Sequence, residues 1–230
     1  MEDSPHHFTR WLPWLLLALL LFVAATVLDL AWHLGSELME QRRYALSLDL
    51  PSPLELASLP TATRFDFPLG TESGALAYNA QPFTENMHLG DDLNGIGGEN
   101  SDLGDPVHAV ADGRVLLARE GGPGWGNIVI VLHAYEENGV RKYVQSYYAH
   151  LLAMLVHQGD VVHRGEEIAT VGTAGGKYLA HLHFEMRELV TPFVGAGYRK
   201  DTTGWLDPSA FLRAHRGAPA EDLGRETYAR

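Results

Sequence analysis

The segment His181-Leu182-His183-Phe184-Glu185-Met186 concentrates reactive side chains over a few residues. As a strand it turns His181, His183 and Glu185 to one face and Leu182, Phe184 and Met186 toward a core. Two imidazoles on one wall could hold a metal ion or move protons. An isolated H-x-H is equally at home on the wet face of an amphipathic strand. In His88-Leu89-Gly90-Asp91-Asp92, the spacing lets His88 and Asp92 turn toward one point, with Gly90 permitting the bend and Asp91 facing away. Alone, that pattern also describes a solvated acidic loop. Tyr148-Ala149-His150-Leu151 closes an apolar run and puts Tyr148 and His150 on one face. Taken together, two His and one Asp suffice for a three-ligand zinc shell with a fourth position left for water, and two further His remain as proton handlers.

Composition narrows the chemistry. The chain has 12 His and no Cys, so thiolate metal sites, disulfides and a Cys nucleophile are excluded and any metal must rest on imidazole and carboxylate. A formal net charge of -12 offers no footprint for nucleic acid, which recruits clustered Lys and Arg. At 230 residues and 46% hydrophobic content, one well-packed domain plus accessory segments is expected.

The elements that must position these residues follow from pattern. Residues 11–30, after a short tail of residues 1–10, are apolar enough to span a membrane or act as an export signal, and an uncleaved anchor is preferred. Arg42 and Arg43 compete with Arg10, so loop charge does not orient the span. Residues 31–62 read as a helix and a linker broken by Pro51, Pro53 and Pro60. Residues 63–213 carry short β-branched and aromatic runs separated by Gly, Asn and Asp, which describes a mainly antiparallel β domain. Glu136-Glu137-Asn138-Gly139 marks a hairpin, and residues 214–230 read as a flexible tail.

Gly104-Asp105-Pro106-Val107-His108 and Gly159-Asp160-Val161-Val162-His163 share G-D-x-V-H, either a duplicated strand-turn-strand unit or a chance match between hairpins. Gly121-Gly122-Pro123-Gly124-Trp125-Gly126 lacks the strand-loop-helix context and the Lys-Ser/Thr of a phosphate loop, so a mobile loop at a groove rim is expected, with Trp125 available to substrate.

Across roughly residues 88–187 the chain resembles the lysostaphin-type or LytM-type zinc peptidases, which cut peptidoglycan cross-bridges and stem peptides. The resemblance is carried by His88 to Asp92, then Gly104-Asp105-Pro106-Val107, Gly126-Asn127 leading to His133, Tyr148 to Leu151, Gly159, Gly165, Gly172 and His181 to Glu185. It implies a LytM-type antiparallel β-sandwich or barrel-like domain built on a duplicated hybrid motif and lining a narrow groove. It further implies zinc ligands at His88, Asp92 and His183, and catalytic histidines at His150 and His181. The partners implied are peptidoglycan peptide and, through the N-terminal segment, membrane, with the catalytic domain outside the cytoplasmic membrane. Glu185 reads either as orienting an imidazole or as an exposed carboxylate. Two departures bear on substrate preference: residues 95–102 are longer and more Gly-rich than usual, and Gly175-Gly176-Lys177-Tyr178-Leu179-Ala180 replaces a Ser/Thr-Gly run. The alternatives are a non-catalytic LytM-type module that binds cell wall or activates another wall hydrolase, and a histidine phosphocarrier, which the complete ligand set disfavours.

Overall fold

The computed structural model describes residues 12–47 and 50–217, which form two compact units divided after Leu48. The first is a single helix, α1 (Leu12–Ser47). Its stretch Leu12–Ser36 has 25 residues, a mean hydropathy of 2.4 and no buried side chains, so it is long and apolar enough to cross a membrane. Gly35 alone does not end it, and the apolar run and the helix-forming stretch behind it are one element. The tail of residues 1–10 lies outside the described residues.

The second unit is built from strands β1 (Thr61–Ala62), β2 (Ala77–Gln81), β3 (Asp91–Gly95), β4 (Pro106–His108), β5 (Gly113–Glu120), β6 (Asn127–Glu137), β7 (Val140–Leu151), β8 (Ala153–Met154), β9 (Val161–Val162), β10 (Glu167–Thr170), β11 (Leu182–Arg187) and β12 (Trp205–Leu206), with helices α2 (Pro53–Ser58) and α3 (Pro208–His215). The larger sheet runs β2-β3-β11-β7-β6-β5-β9, with β1 added beside β6 and β12 beside β11, and the smaller one runs β4-β10-β8. Only β1 pairs in parallel among the described strands. The unit is thus mainly antiparallel β, as the alternating runs predict. The hairpin between β6 and β7 turns at Asn138 and Gly139, whose φ angles of 53° and 73° are those an Asn-Gly turn tolerates.

The two sheets share one apolar core. Val129, Val131, Tyr148, Leu182, Phe184 and Met186 from the larger sheet meet Val107, Ile168 and Ala169 from the smaller one. Burying each of the larger of these side chains is worth about 1.5–3 kcal/mol. The G-D-x-V-H echo has a counterpart here. β4 leads through a turn to β5, β9 leads through a turn to β10, and the units exchange partners, β4 pairing β10 and β5 pairing β9. The backbone bonds repeat as well: Gly104 and Gly159 donate to Val171 and Val115 at 2.9 and 2.8 Å, and Val171 and Val115 donate to Asp105 and Asp160, both at 2.9 Å. Such reciprocity is that of a duplicated unit folded against its copy.

Part of the segment marked as a linker packs onto this domain. Ser52 and Glu55 form a capping box that starts α2, with Pro53 in its first turn. Leu59 is buried with Leu132 and Ala134, and the Arg141 guanidinium donates to the Leu59 carbonyl and the Thr61 hydroxyl, both at 2.8 Å. At the other end α3 runs to His215, whose carbonyl accepts the Phe65 amide at 3.0 Å. Residues 218–230 lie outside the described residues.

Candidate active site

β11 carries His183 at the middle of the larger sheet, directly opposite Asp92 on β3 and Ala149 on β7. Leu182, Phe184 and Met186 point the other way and are fully buried, so the period of two that amphipathicity predicts is kept. His88 precedes β3 and is tied by a bridge to Tyr198 and by the Leu89 amide donating to the Gly197 carbonyl at 2.9 Å. Gly90, between His88 and Asp92, is needed less for a bend than for a close approach. A Cβ there would lie 2.5 Å from the Phe184 carbonyl oxygen and 2.8 Å from Glu185 Cγ. Asp91 faces away from Asp92, yet it is buried, and its carboxylate accepts from the Phe83 amide at 3.0 Å and the Ser209 hydroxyl at 2.6 Å.

Three ligand atoms meet where these elements converge. His183 Nδ1 lies 3.0 Å from both His88 Nε2 and Asp92 Oδ1, and His88 Nε2 lies 3.3 Å from that same oxygen. Bonds of about 2.0–2.1 Å to a tetrahedral zinc ion separate the ligands by roughly 3.3–3.4 Å. The outward ring nitrogens decide what the inward ones present. His88 Nδ1 donates to the Gln81 carbonyl at 3.1 Å, and His183 Nε2 donates to Glu185 Oε1 at 2.9 Å. In their neutral form both rings turn a bare lone pair toward the Asp92 carboxylate, which makes a set of three acceptors suited to a cation. Burial opposes charge on Asp92, but hydrogen bonds from His183 and His88 outweigh it and hold the carboxyl well below the usual range. Burial likewise opposes a charged His183, and its bonds to Asp92 and Glu185 raise its pKa instead. Protonated at Nδ1 as well, His183 donates to Asp92 Oδ1.

Beside this group lie the other two histidines. His150 ends β7 in a left-handed backbone conformation, φ 64°, which is uncommon outside glycine. Its amide and its Nδ1 both donate to the Trp125 carbonyl, at 2.8 and 3.1 Å, which leaves Nε2 bare. Burial, followed by the neighbouring His183 and His181, pushes its pKa down to about 3. His181 Nδ1 donates to the Leu179 carbonyl at 2.8 Å, and its Nε2 is 3.7 Å from Asp92 Oδ1. The two rings are 4.8 Å apart. Residues 95–102 support this arrangement through Asn100, whose Oδ1 accepts the Ala180 amide at 2.7 Å, while Asn94 on β3 donates to the Ala180 carbonyl at 3.1 Å. The backbone entering His181 is gripped from both sides.

Glu185, left open between two roles by its sequence position, is fully buried beneath His183. Its second oxygen accepts from Arg187 Nε at 2.6 Å and Trp205 Nε1 at 2.5 Å. Arg187, itself fully buried, stacks on Tyr147 at 4.0 Å and donates to the Phe193 and Val194 carbonyls at 2.5 and 3.0 Å. Burial raises the Glu185 pKa, but the Arg187 charge and His183 outweigh it, and the carboxylate stays ionised.

A cleft of roughly 300 Å³ opens onto Asp92, His150, His181 and His183, walled by Trp125, Tyr178 and Tyr198. Trp125 does not stand free at the rim as expected. It is 7% exposed, near-parallel to the His150 ring at 28° and edge-on to His183, because its indole fills the space between β7 and the histidines.

Residues 91–195 match the model of peptidase family M23, a stretch that begins just after His88 and includes Asp92, His150, His181 and His183. The lipoprotein NlpD of Yersinia enterocolitica is 38% identical over 84 residues, which are 36% of this chain and 78% of that protein. The chain belongs to peptidase family M23. The peptidoglycan DD-endopeptidase ShyB of Vibrio cholerae is 38% identical over 36% of this chain and 18% of its own length. The murein hydrolase activator NlpD of Escherichia coli is 39% identical over 36% of this chain and 20% of its own length. Of the longer curated relatives that it matches, the chain spans between 16% and 20%.

Several residues of this M23 site were not singled out by local pattern. Arg187 shares a strand face with His183 and Glu185 and was within reach of the same period-two reading. Trp205, Gln81 and Tyr198 reach the site only through tertiary contacts, and no local signal marks them, whereas Tyr178 lies within the departure at residues 175–180.

Proposed function

We propose that the chain is a zinc-dependent endopeptidase that hydrolyses peptide bonds in peptidoglycan cross-links or stem peptides. His88, Asp92 and His183 hold the metal, and His150 and His181 act as general acid and base. The observation that supports this reading most is the meeting of His88 Nε2, Asp92 Oδ1 and His183 Nδ1 within 3.3 Å of one another, with the far nitrogen of each ring already committed to an acceptor. Zinc held there supplies Lewis acidity, lowering the pKa of water and polarising a carbonyl.

The protein's own groups do the rest. His150 and His181 turn bare Nε2 atoms toward the cleft, with Nδ1 fixed by the Trp125 and Leu179 carbonyls. One takes a proton from the attacking water and one returns a proton to the leaving amine. Burial holds the His150 ring neutral, so its Nε2 lone pair is unprotonated at neutral pH. Trp125 and Tyr147 exclude water from the rear of His183. Glu185, clamped by Arg187 and Trp205, keeps the His183 tautomer that points Nδ1 forward.

A second reading, activation of another wall hydrolase without catalysis, is favoured by the likeness to Escherichia coli NlpD. The opening of Asp92, His150, His181 and His183 onto one cleft, with His88 buried behind them, favours catalysis. The apolar helix α1 supports attachment to the cytoplasmic membrane as a single-pass anchor, with the β domain on its outer side. The deciding experiment incubates the full chain in detergent with purified peptidoglycan, with and without a chelator, followed by mass analysis of released fragments. Chelator-sensitive release of peptide fragments is expected, and release that persists in metal-free protein would overturn the reading.

A further inference from the structure

One departure of the sequence, Gly176-Lys177-Tyr178 ahead of His181, takes on a definite place in the cleft. The loop is anchored at Thr173, whose carbonyl accepts the Gly176, Lys177 and Tyr178 amides at 3.2, 2.9 and 3.1 Å and whose hydroxyl accepts the Gly176 amide again at 2.9 Å. This holds Tyr178 with its ring 4.9 Å from that of His150. Lys177 Nζ sits 5.7 Å from the Tyr178 ring centroid. Both polar ends face the same bare piece of backbone: a Cβ on Gly124 would lie 3.2 Å from Lys177 Nζ and 3.4 Å from the Tyr178 hydroxyl oxygen. Gly124 has φ 84°, a backbone conformation that disfavours a side chain there.

Among the described residues, Lys177 is the only Lys or Arg lining this cleft, in a chain whose formal net charge is -12. The chain as a whole repels an anion, and Lys177 offers a point of attraction beside His150. We propose that Lys177 and Tyr178 form a carboxylate-binding subsite, which selects peptides carrying a free carboxylate within about one residue of the scissile bond. The ammonium pairs with the carboxylate and the phenol donates a second hydrogen bond to it. The inference rests on the hydrolase reading for its substrate and deepens it by naming the charge that the substrate must carry. A free C-terminal carboxylate and the spare carboxylate of a diamino acid share this chemistry.

The test compares native peptidoglycan with peptidoglycan whose carboxyl groups have been converted to amides by carbodiimide and ammonia. The zinc-loaded full chain in detergent, as wild type, Lys177→Ala, Lys177→Glu and Lys177→Arg, is scored for fragment release and for co-sedimentation with each wall. Wild type is expected to release fragments from native wall about tenfold faster than from amidated wall, the equivalent of one charge-assisted hydrogen bond. Lys177→Ala should remove the difference, Lys177→Glu should reverse it and Lys177→Arg should keep it. Mass analysis of the native-wall fragments shows which carboxylate flanks the cut. Equal rates of wild type on both walls, or equal losses on both in Lys177→Glu, would overturn the subsite. If no variant releases fragments from either wall, the hydrolase reading has failed and co-sedimentation decides. Wild-type binding that prefers native wall and is reversed by Lys177→Glu then sustains the subsite, and indifference to amidation overturns it.

Discussion

His183 on β11 and Asp92 on β3 are direct cross-strand partners, and the hydrogen-bonding distance between Nδ1 and Oδ1 is 3.0 Å. Two proposed ligands 91 residues apart in sequence are therefore held by the sheet's register, and the register is set by the apolar side chains on the opposite face of β11. His88 completes the group from the chain just before β3.

The five side chains should separate by substitution. His183→Ala or Asp92→Ala is expected to abolish stoichiometric zinc binding. His150→Ala should keep zinc and lower turnover by about 10²–10⁴-fold, the usual contribution of a general acid or base. Metal analysis of the purified variants beside wall-hydrolysis rates checks this. A His150→Ala protein lacking zinc would contradict the division of roles.

Glu185→Gln retains shape but removes the anion that His183 Nε2 and Arg187 share. Zinc affinity should fall by roughly 10–100-fold, read by competition with a chelating dye, while circular dichroism keeps its β signature. Unchanged affinity would show that the carboxylate serves only the fold.

Metal binding should release protons. The His183 pKa is raised above 6.5 in the metal-free site, because its bonds to Asp92 and Glu185 outweigh burial. A raised folded value contributes stability below the unfolded pKa, and this is lost as pH rises through the folded one. Apparent zinc affinity should therefore climb as pH rises from 6 toward the folded His183 value. Calorimetric titration in buffers of different ionisation heat counts the protons, and a pH-independent affinity over this window would be inconsistent with His183 as a ligand.

His133 makes the opposite prediction for acid stability. It is fully buried, its Nδ1 lies 2.9 Å from the Asp112 carbonyl and its Nε2 2.7 Å from the Ser146 hydroxyl, and burial pushes its pKa down to about 4 from 6.5. With the folded value below the unfolded one, the unfolded chain binds the extra proton. Stability is then full above about pH 6.5 and falls as pH drops toward 4, by about 3 kcal/mol in all. Urea unfolding between pH 7 and 4 measures this loss, which His133→Gln should flatten.

The amino-acid sequence alone determined the fold class and much of the site's chemistry. Alternation in residues 182–186 sets which side chains enter the core, Asn138-Gly139 sets a turn, and the lack of Cys restricts any metal to imidazole and carboxylate. These are local matters of strand period, turn conformation and ligand chemistry, legible without the rest of the chain. The Gly90 requirement, the burial of Trp125, the docking of residues 52–62 and the clamp of Arg187 and Trp205 on Glu185 were decided only by tertiary structure. Each depends on which strands become neighbours and how closely they approach. Register and close packing are cooperative properties of the whole sheet, and no window of a few residues contains them.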